Sequence, residues 1–189
     1  MQVNPDIDFV VDEVLSLYDR YGADDYIGEP VSQLEHMSQT AQLAIDAGAD
    51  EEIVLAAFFH DIGHICVKSD EENNMGGFGI KSHEKIGADY LRSMGFPERI
   101  ARLVEGHVQA KRYLTFKNHS YFESLSEASK MTLEYQGGVM NAHEAEVFEE
   151  DPLFDDMLQM RKWDELAKEE GVPLIDLREI KRRIISVLL

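Results

Sequence analysis

Seven consecutive apolar residues, Ile53 to Phe59, run without a break into His60 and Asp61. A helix apolar on every face has no side to give to solvent, so this one belongs at the centre of a helical protein. The residues around it carry the same period. Phe9, Val10, Val14, Leu17 and Tyr18 recur at three- and four-residue steps and mark one face of an amphipathic helix that Gly22 ends. Leu34, Met37, Ala41 and Ala44 repeat the pattern between Ser32 and Ala47, with Gly48 as the stop. Ser82 is placed to cap a helix running to Ser93, and Pro97 to open another that carries Ile100, Leu103 and Val104 and closes at His107. Ser124 with Glu127 and Asn141 with Glu144 have the residue types and spacing of helix starts, and two more helices follow Pro152 and Pro173. No alternating strand pattern, repeat or low-complexity segment interrupts them. The expected fold class is all-α, a helical bundle of roughly eight or nine helices. Residues 66–81, which include Asn73, Asn74, Gly76, Gly77 and Gly79, read as a loop able to serve as a lid.

A chain of 189 residues is the size of one domain, so residues 1–189 are expected to share one core. No apolar run reaches the ~20 residues that a bilayer requires. The segment Met1 to Asp6 lacks a basic stretch followed by an apolar one, which argues against a secretory signal and makes the cytoplasm the expected compartment. The 37 acidic against 18 basic residues give a net charge of −19, so neither nucleic acid nor an anionic membrane is an expected partner. In so acidic a chain the local basic pairs Lys111-Arg112 and Arg161-Lys162 stand out, although solvated surface pairs are the plain reading of both. The single cysteine, Cys66, excludes an intrachain disulfide and any multi-cysteine metal site, and itself reads as a small buried residue. A metal would have to use histidine and carboxylate.

There are seven histidines, at 36, 60, 64, 83, 107, 119 and 143. His60 and Asp61 follow an apolar helix directly, where an unpaired carboxylate is costly unless it meets a cation. Adjacent helical side chains diverge by about 100°, so the two reach one centre only at a helix end or bend, which Gly63 could provide. A carboxylate there could bridge two metals. Lys111 stands four residues after His107 and, on a continuing helix, shares its face.

The string His60-Asp61-Ile62-Gly63-His64, with His36 before it and His83, His107 and Asp164 after it, resembles the HD-domain superfamily. Its flanks are similar to one oxygenase branch, the 2-amino-1-hydroxyethylphosphonate dioxygenases and their trimethylamino relatives. These flanks are Tyr26-Ile27-Gly28-Glu29, Gln33-Leu34-Glu35-His36, His83-Glu84-Lys85, Glu105-Gly106-His107-Val108, Lys111-Arg112-Tyr113-Leu114 and Thr132-Leu133-Glu134-Tyr135-Gln136-Gly137-Gly138. The similarity runs from about Tyr26 to Glu165.

What the resemblance implies is a mixed-valent Fe(II)/Fe(III) pair that uses O2 to cleave a carbon-phosphorus bond. His36, His60, Asp61 and Asp164 would hold one iron, His83 and His107 the other, with Asp61 as the bridge; Asp151, Asp155 and Asp156 lie near Asp164 and compete with it on spacing alone. Lys111, His64, Ser129 and Arg161 would meet the phosphonate. Tyr26 would close an open iron position until substrate arrives, and Glu29 would meet the substrate amine. Tyr26, Phe78 and Tyr113 are possible walls around that amine. The implied substrate is (R)-1-hydroxy-2-aminoethylphosphonate or its N-trimethyl analogue, and the products are phosphate with glycine or glycine betaine. His119 and His143 match no ligand position and are expected at the surface. The rival reading from the same metal motif is a dinuclear HD phosphohydrolase, which needs neither oxygen nor Tyr26 and Glu29. A regulatory HD protein without turnover and an inositol-type oxygenase are further alternatives, the last without need of Lys111 and Ser129 as anion contacts.

Overall fold

The structure is a computed structural model that describes residues 6–26, 28–68 and 73–189. Residues 1–5 of the N-terminal reading, Ile27 of the Tyr26–Glu29 string and positions 69–72 of the expected lid lie outside the described residues. Among the described residues ten α-helices follow one another: α1 (Ile7–Tyr21), α2 (Gln33–Asp46), α3 (Glu51–Phe59), α4 (His83–Ser93), α5 (Glu98–Lys117), α6 (His119–Ser124), α7 (Glu127–Tyr135), α8 (Ala142–Glu149), α9 (Phe154–Leu166) and α10 (Leu177–Leu188). A 3-10 turn, Ile62–His64, joins α3 to the segment before α4. Extended pairing among the described residues is confined to two isolated bridges, Asp25 with Ser32 and Asn74 with Ile80, so the chain is all-α. No helix among the described residues is long and apolar enough to cross a membrane.

Local chemistry sets the starts of the helices that carry the site. Ser32 and Glu35 form a capping box, Ser32 Oγ accepting from the Glu35 amide at 3.3 Å and Glu35 Oε2 accepting from the Ser32 amide at 2.7 Å. Such a cap contributes about 1 kcal/mol and fixes the start of α2 three residues before His36. Asp50 caps α3 through the Ile53 amide. From Val54 to Phe59 every residue of α3 is buried, as a helix apolar all round requires. It packs on α2, α5, α9 and α10, and Phe58, Phe59, Leu55, Met37, Leu103 and Met160 are fully enclosed. Each such side chain contributes about 1.5 to 3 kcal/mol by leaving water.

The sequence expectations need four adjustments. Helix α5 does not close at His107 but continues to Lys117, because Val108, Ala110 and Tyr113 keep feeding the core. Ser82 precedes α4 with a left-handed backbone, φ 58°, and makes no side-chain cap. The cap of α7 is Ser126, which accepts from the Ser129 amide, and Ser124 instead ends the short α6 that no pattern marked. Phe9 lies on the outer face of α1 and is 59% exposed.

Candidate active site

Six side chains from five segments converge beneath the end of α3: His36 from α2, His60 and Asp61 from the α3 end, His83 from the first turn of α4, His107 from mid-α5 and Asp164 from α9. All six are buried. They form two triads that could each hold a metal ion, His36–His60–Asp164 and Asp61–His83–His107. Asp61 faces both. Its Oδ2 lies 3.3 Å from His60 Nε2 and 3.5 Å from His36 Nε2, and its Oδ1 lies 3.2 Å from His83 Nε2 and 3.5 Å from His107 Nε2. The break in direction that allows this comes where α3 passes into the 3-10 turn at His60 and Asp61. Gly63 serves packing more than bending, since a Cβ there would run into the His83 carbonyl.

Backbone carbonyls decide which nitrogen each histidine presents. His36 Nδ1 meets Ala167 O at 2.9 Å, His60 Nδ1 meets Ala57 O at 2.8 Å, His83 Nδ1 meets Ile80 O at 3.2 Å and His107 Nδ1 meets Val104 O at 2.6 Å. A carbonyl only accepts, so each Nδ1 carries the proton and each neutral Nε2 presents a lone pair. Those lone pairs face each other, His36 to His60 at 3.0 Å and His83 to His107 at 3.1 Å. Two facing acceptors need a cation between them. The buried Asp164 Oδ1 has no hydrogen-bond partner, and Asp61 and Asp164 are both held far below the usual carboxylate range by His60 and Arg161 respectively, against the cost of burial. The donor set thus fits a dinuclear metal site.

His64 is the exception. Its Nδ1 accepts from the Ile80 amide at 3.0 Å, so its Nε2 carries the proton and can donate. It points into a cavity of about 570 Å³, open mouth included, that Asp61, His83, His107 and Asp164 also line. Tyr26, Glu29, Lys111, Ser129 and Arg161 line the same cavity, so all the substrate-contact positions expected from sequence meet there. Lys111 Nζ donates to Thr132 Oγ1 at 2.9 Å and to Ser129 O at 3.1 Å, and burial pushes its ammonium down to about 7. Tyr26 stacks on His36 with centroids 4.0 Å apart, and burial with the nearby Asp61 charge raises its phenol well above the ordinary value. Arg161 faces the cavity while its guanidinium is committed to Tyr121, Asp164 and Glu165. Phe78 lines the wall as expected, but Tyr113 packs instead on Phe148 and Phe154 and bonds Glu149. His119 and His143 are exposed, and Cys66 is half-buried and free.

Residues 34–147 match the HD domain family. The chain is 39% identical over 164 residues to the 1-hydroxy-2-(trimethylamino)ethylphosphonate dioxygenase (glycine-betaine-forming) of Leisingera caerulea, covering 84% of this chain and 80% of that one. It is 37% identical over 163 residues to the hydroxymethylphosphonate dioxygenase of Gimesia maris, covering 86% and 81%. The chain belongs to the HD-domain phosphonate dioxygenases. It is an enzyme of the oxygenase class. An uncharacterized protein of Acanthamoeba polyphaga mimivirus is 46% identical over 158 residues, covering 84% and 72%.

The HD match ends before α9 and begins after Tyr26 and Glu29, so the cavity of this phosphonate dioxygenase is lined in part by residues outside the matched stretch. Lys168, also outside that stretch, does not line the cavity itself; its Nζ donates to Glu29 Oε1, which does, at 2.7 Å, and no sequence motif pointed to it. Gln33 and Gln136 also line the cavity, each with an amide oxygen that is buried and unpartnered. Both lie in strings that carried the resemblance, but only their placement on the cavity wall singles them out.

Proposed function

We propose that this chain is a diiron oxygenase that cleaves the carbon-phosphorus bond of (R)-1-hydroxy-2-aminoethylphosphonate or its N-trimethyl analogue, giving phosphate and glycine or glycine betaine. The reaction balances without a reductant: a 1-hydroxyphosphonate and O2 become a carboxylate and phosphate, the C–P bond breaks, and each product gains one oxygen atom. The observation that carries this reading is Asp61, whose two oxygens face the two triads at the foot of a cavity that also receives Lys111. Imidazole and carboxylate donors suit iron, and with the second triad supplying only two histidines and the shared Asp61, room is left for substrate and oxygen. Bound there, a mixed-valent iron pair would supply the one-electron and O2 chemistry.

The protein's own groups do the rest. His36, His60, Asp61 and Asp164 hold one iron and His83 and His107 the other, with Asp61 shared. Lys111 and the Nε2 proton of His64 bind phosphonate oxygens, Ser129 adds a hydroxyl, and Arg161 adds positive charge while fixing Asp164. Tyr26 covers the metal side of the cavity in the resting state, and Glu29 meets the amine. Residues 1–189 form one domain of HD type with its metal-site core at about 26–165, and the enzyme works in the cytosol. Phosphate release by iron-loaded protein from either substrate, in air and under strict anaerobiosis, tests the reading. Release should require oxygen; equal release without it would favour the phosphohydrolase.

A further inference from the structure

Glu29 already has a cationic partner. Lys168 Nζ donates to its Oε1 at 2.7 Å, with the two side chains only 16% and 10% exposed. The segment that carries Lys168 is tied across to α2 on both sides. Ala167 O accepts from His36 Nδ1 at 2.9 Å, and Glu169 exchanges two backbone bonds with the Gln39 side chain, at 2.9 and 3.1 Å. Glu29 in turn belongs to a tight turn: its amide donates to Tyr26 O at 2.9 Å, and Gly28, at φ 85°, lies so close to α7 that a Cβ would come within 2.6 Å of Ala128 Cβ. The turn that carries Tyr26 and Glu29 is therefore held at Gly28 by shape and at Glu29 by charge. Gln33, 7% exposed, lines the same cavity with its amide oxygen unpartnered, a second acceptor waiting for a donor.

We propose that Lys168 is a specificity-determining residue: it holds the Glu29 carboxylate until the cationic tail of a substrate replaces it, and so sets the preference for amine-bearing over uncharged 1-hydroxyphosphonates. This rests on the 1-hydroxyphosphonate reading given above. A carboxylate so little exposed gains little by adding a second ammonium while keeping the first, so what the substrate amine gains at Glu29 is reduced by the bond that Lys168 loses. The long lysine stem lets the released ammonium reach water. Gln33 Oε1 then offers the incoming amine a further acceptor. Lys168 also lies close enough to Lys111 to oppose its charge, so its removal alters phosphonate binding for every ligand alike. The ratio of affinities for two ligands that differ only in the amine isolates the effect at Glu29.

Anaerobic calorimetric titration of the iron-loaded full chain with (R)-1-hydroxy-2-aminoethylphosphonate and with 1-hydroxyethylphosphonate measures that ratio. In Lys168→Met the amine-over-neutral ratio should rise about tenfold, the size of one charge-assisted hydrogen bond. Lys168→Arg, which keeps the pair, should stay near the wild-type ratio. In a Glu29→Gln background, Lys168→Met should leave the ratio unchanged. Should Lys168→Met not fold, Lys168→Gln should move the ratio the same way by a smaller factor. An unchanged or lowered ratio, or the same rise without Glu29, would overturn the role of Lys168 while leaving the substrate reading intact. Binding of neither ligand by wild-type protein would instead overturn the substrate reading, and Lys168's role with it.

Discussion

His64 and His83 stack face to face, ring centroids 4.0 Å apart, and both turn Nε2 to the cavity side, yet in opposite protonation states. The cause is one residue, Ile80, whose amide donates to His64 Nδ1 at 3.0 Å and whose carbonyl meets His83 Nδ1 at 3.2 Å. His83 therefore offers a lone pair and His64 a proton, so that neighbouring imidazoles serve a metal and an anion respectively. Gly79, next to Ile80, makes the approach possible: a Cβ there would lie 2.6 Å from the His64 ring.

Different losses should follow from removing the two rings. His83→Ala should lose one metal ion of the pair, whereas His64→Asn should retain both and lose phosphonate affinity by about ten- to a hundredfold, the range of a hydrogen bond to a charged group. Metal analysis beside ligand titration separates the two. A metal deficit in His64→Asn would make it a ligand after all.

The Lys111 ammonium, pushed down to about 7 by burial among like charges, gives substrate binding a pH dependence of defined sign. Above that value the free protein holds Lys111 neutral, so binding a phosphonate dianion must take up a proton, and affinity should fall by about tenfold per pH unit. Below it the charge is already present and the slope vanishes. Lys111→Met should bind weakly and lose this slope, retaining only the ligand's own titration. Calorimetry between pH 6 and 9 on both proteins is the measurement.

Tyr26, stacked on His36 and directed to the metal side of the cavity, should bind iron(III) as a phenolate in resting protein. Iron-loaded protein should then absorb visible light, substrate should abolish the band, and Tyr26→Phe should lack it at full iron content. A spectrum indifferent to Tyr26 would place its hydroxyl away from the metal.

Gly63→Ala should destabilise the fold out of proportion to one methyl group, because the new Cβ meets the His83 backbone rather than a side chain that can move. Overpacking of this kind costs about 1 to 3 kcal/mol, and here it also displaces a metal-binding histidine. A lowered melting temperature together with reduced metal content is expected; an unchanged melt would mean that the turn yields easily.

What the sequence made legible was local. The apolar run into His60 and Asp61 announces a central helix ending at the site, because burial on all sides and a charge at the end are both written within a few residues. The fate of His107 was less visible: it resembles a helix end until the packing of Ala110 and Tyr113 keeps α5 going. Asp164 stood out from Asp151, Asp155 and Asp156 only through family resemblance, and its distinction is physical once folded, since Asp151 and Asp156 bond Arg102 and Arg99 at the half-exposed surface. Least legible was Lys168, which meets Glu29 across 139 residues. No spacing rule reaches that far.

The most direct test of carbon-phosphorus cleavage by oxygen follows the atoms. Iron-loaded protein given (R)-1-hydroxy-2-aminoethylphosphonate under 18O2 in ordinary water should yield glycine with one labelled oxygen and phosphate with one labelled oxygen, read by mass spectrometry. Unlabelled phosphate and an organic product still lacking the new oxygen would contradict it, and phosphate labelled only from 18O-water would identify a hydrolase.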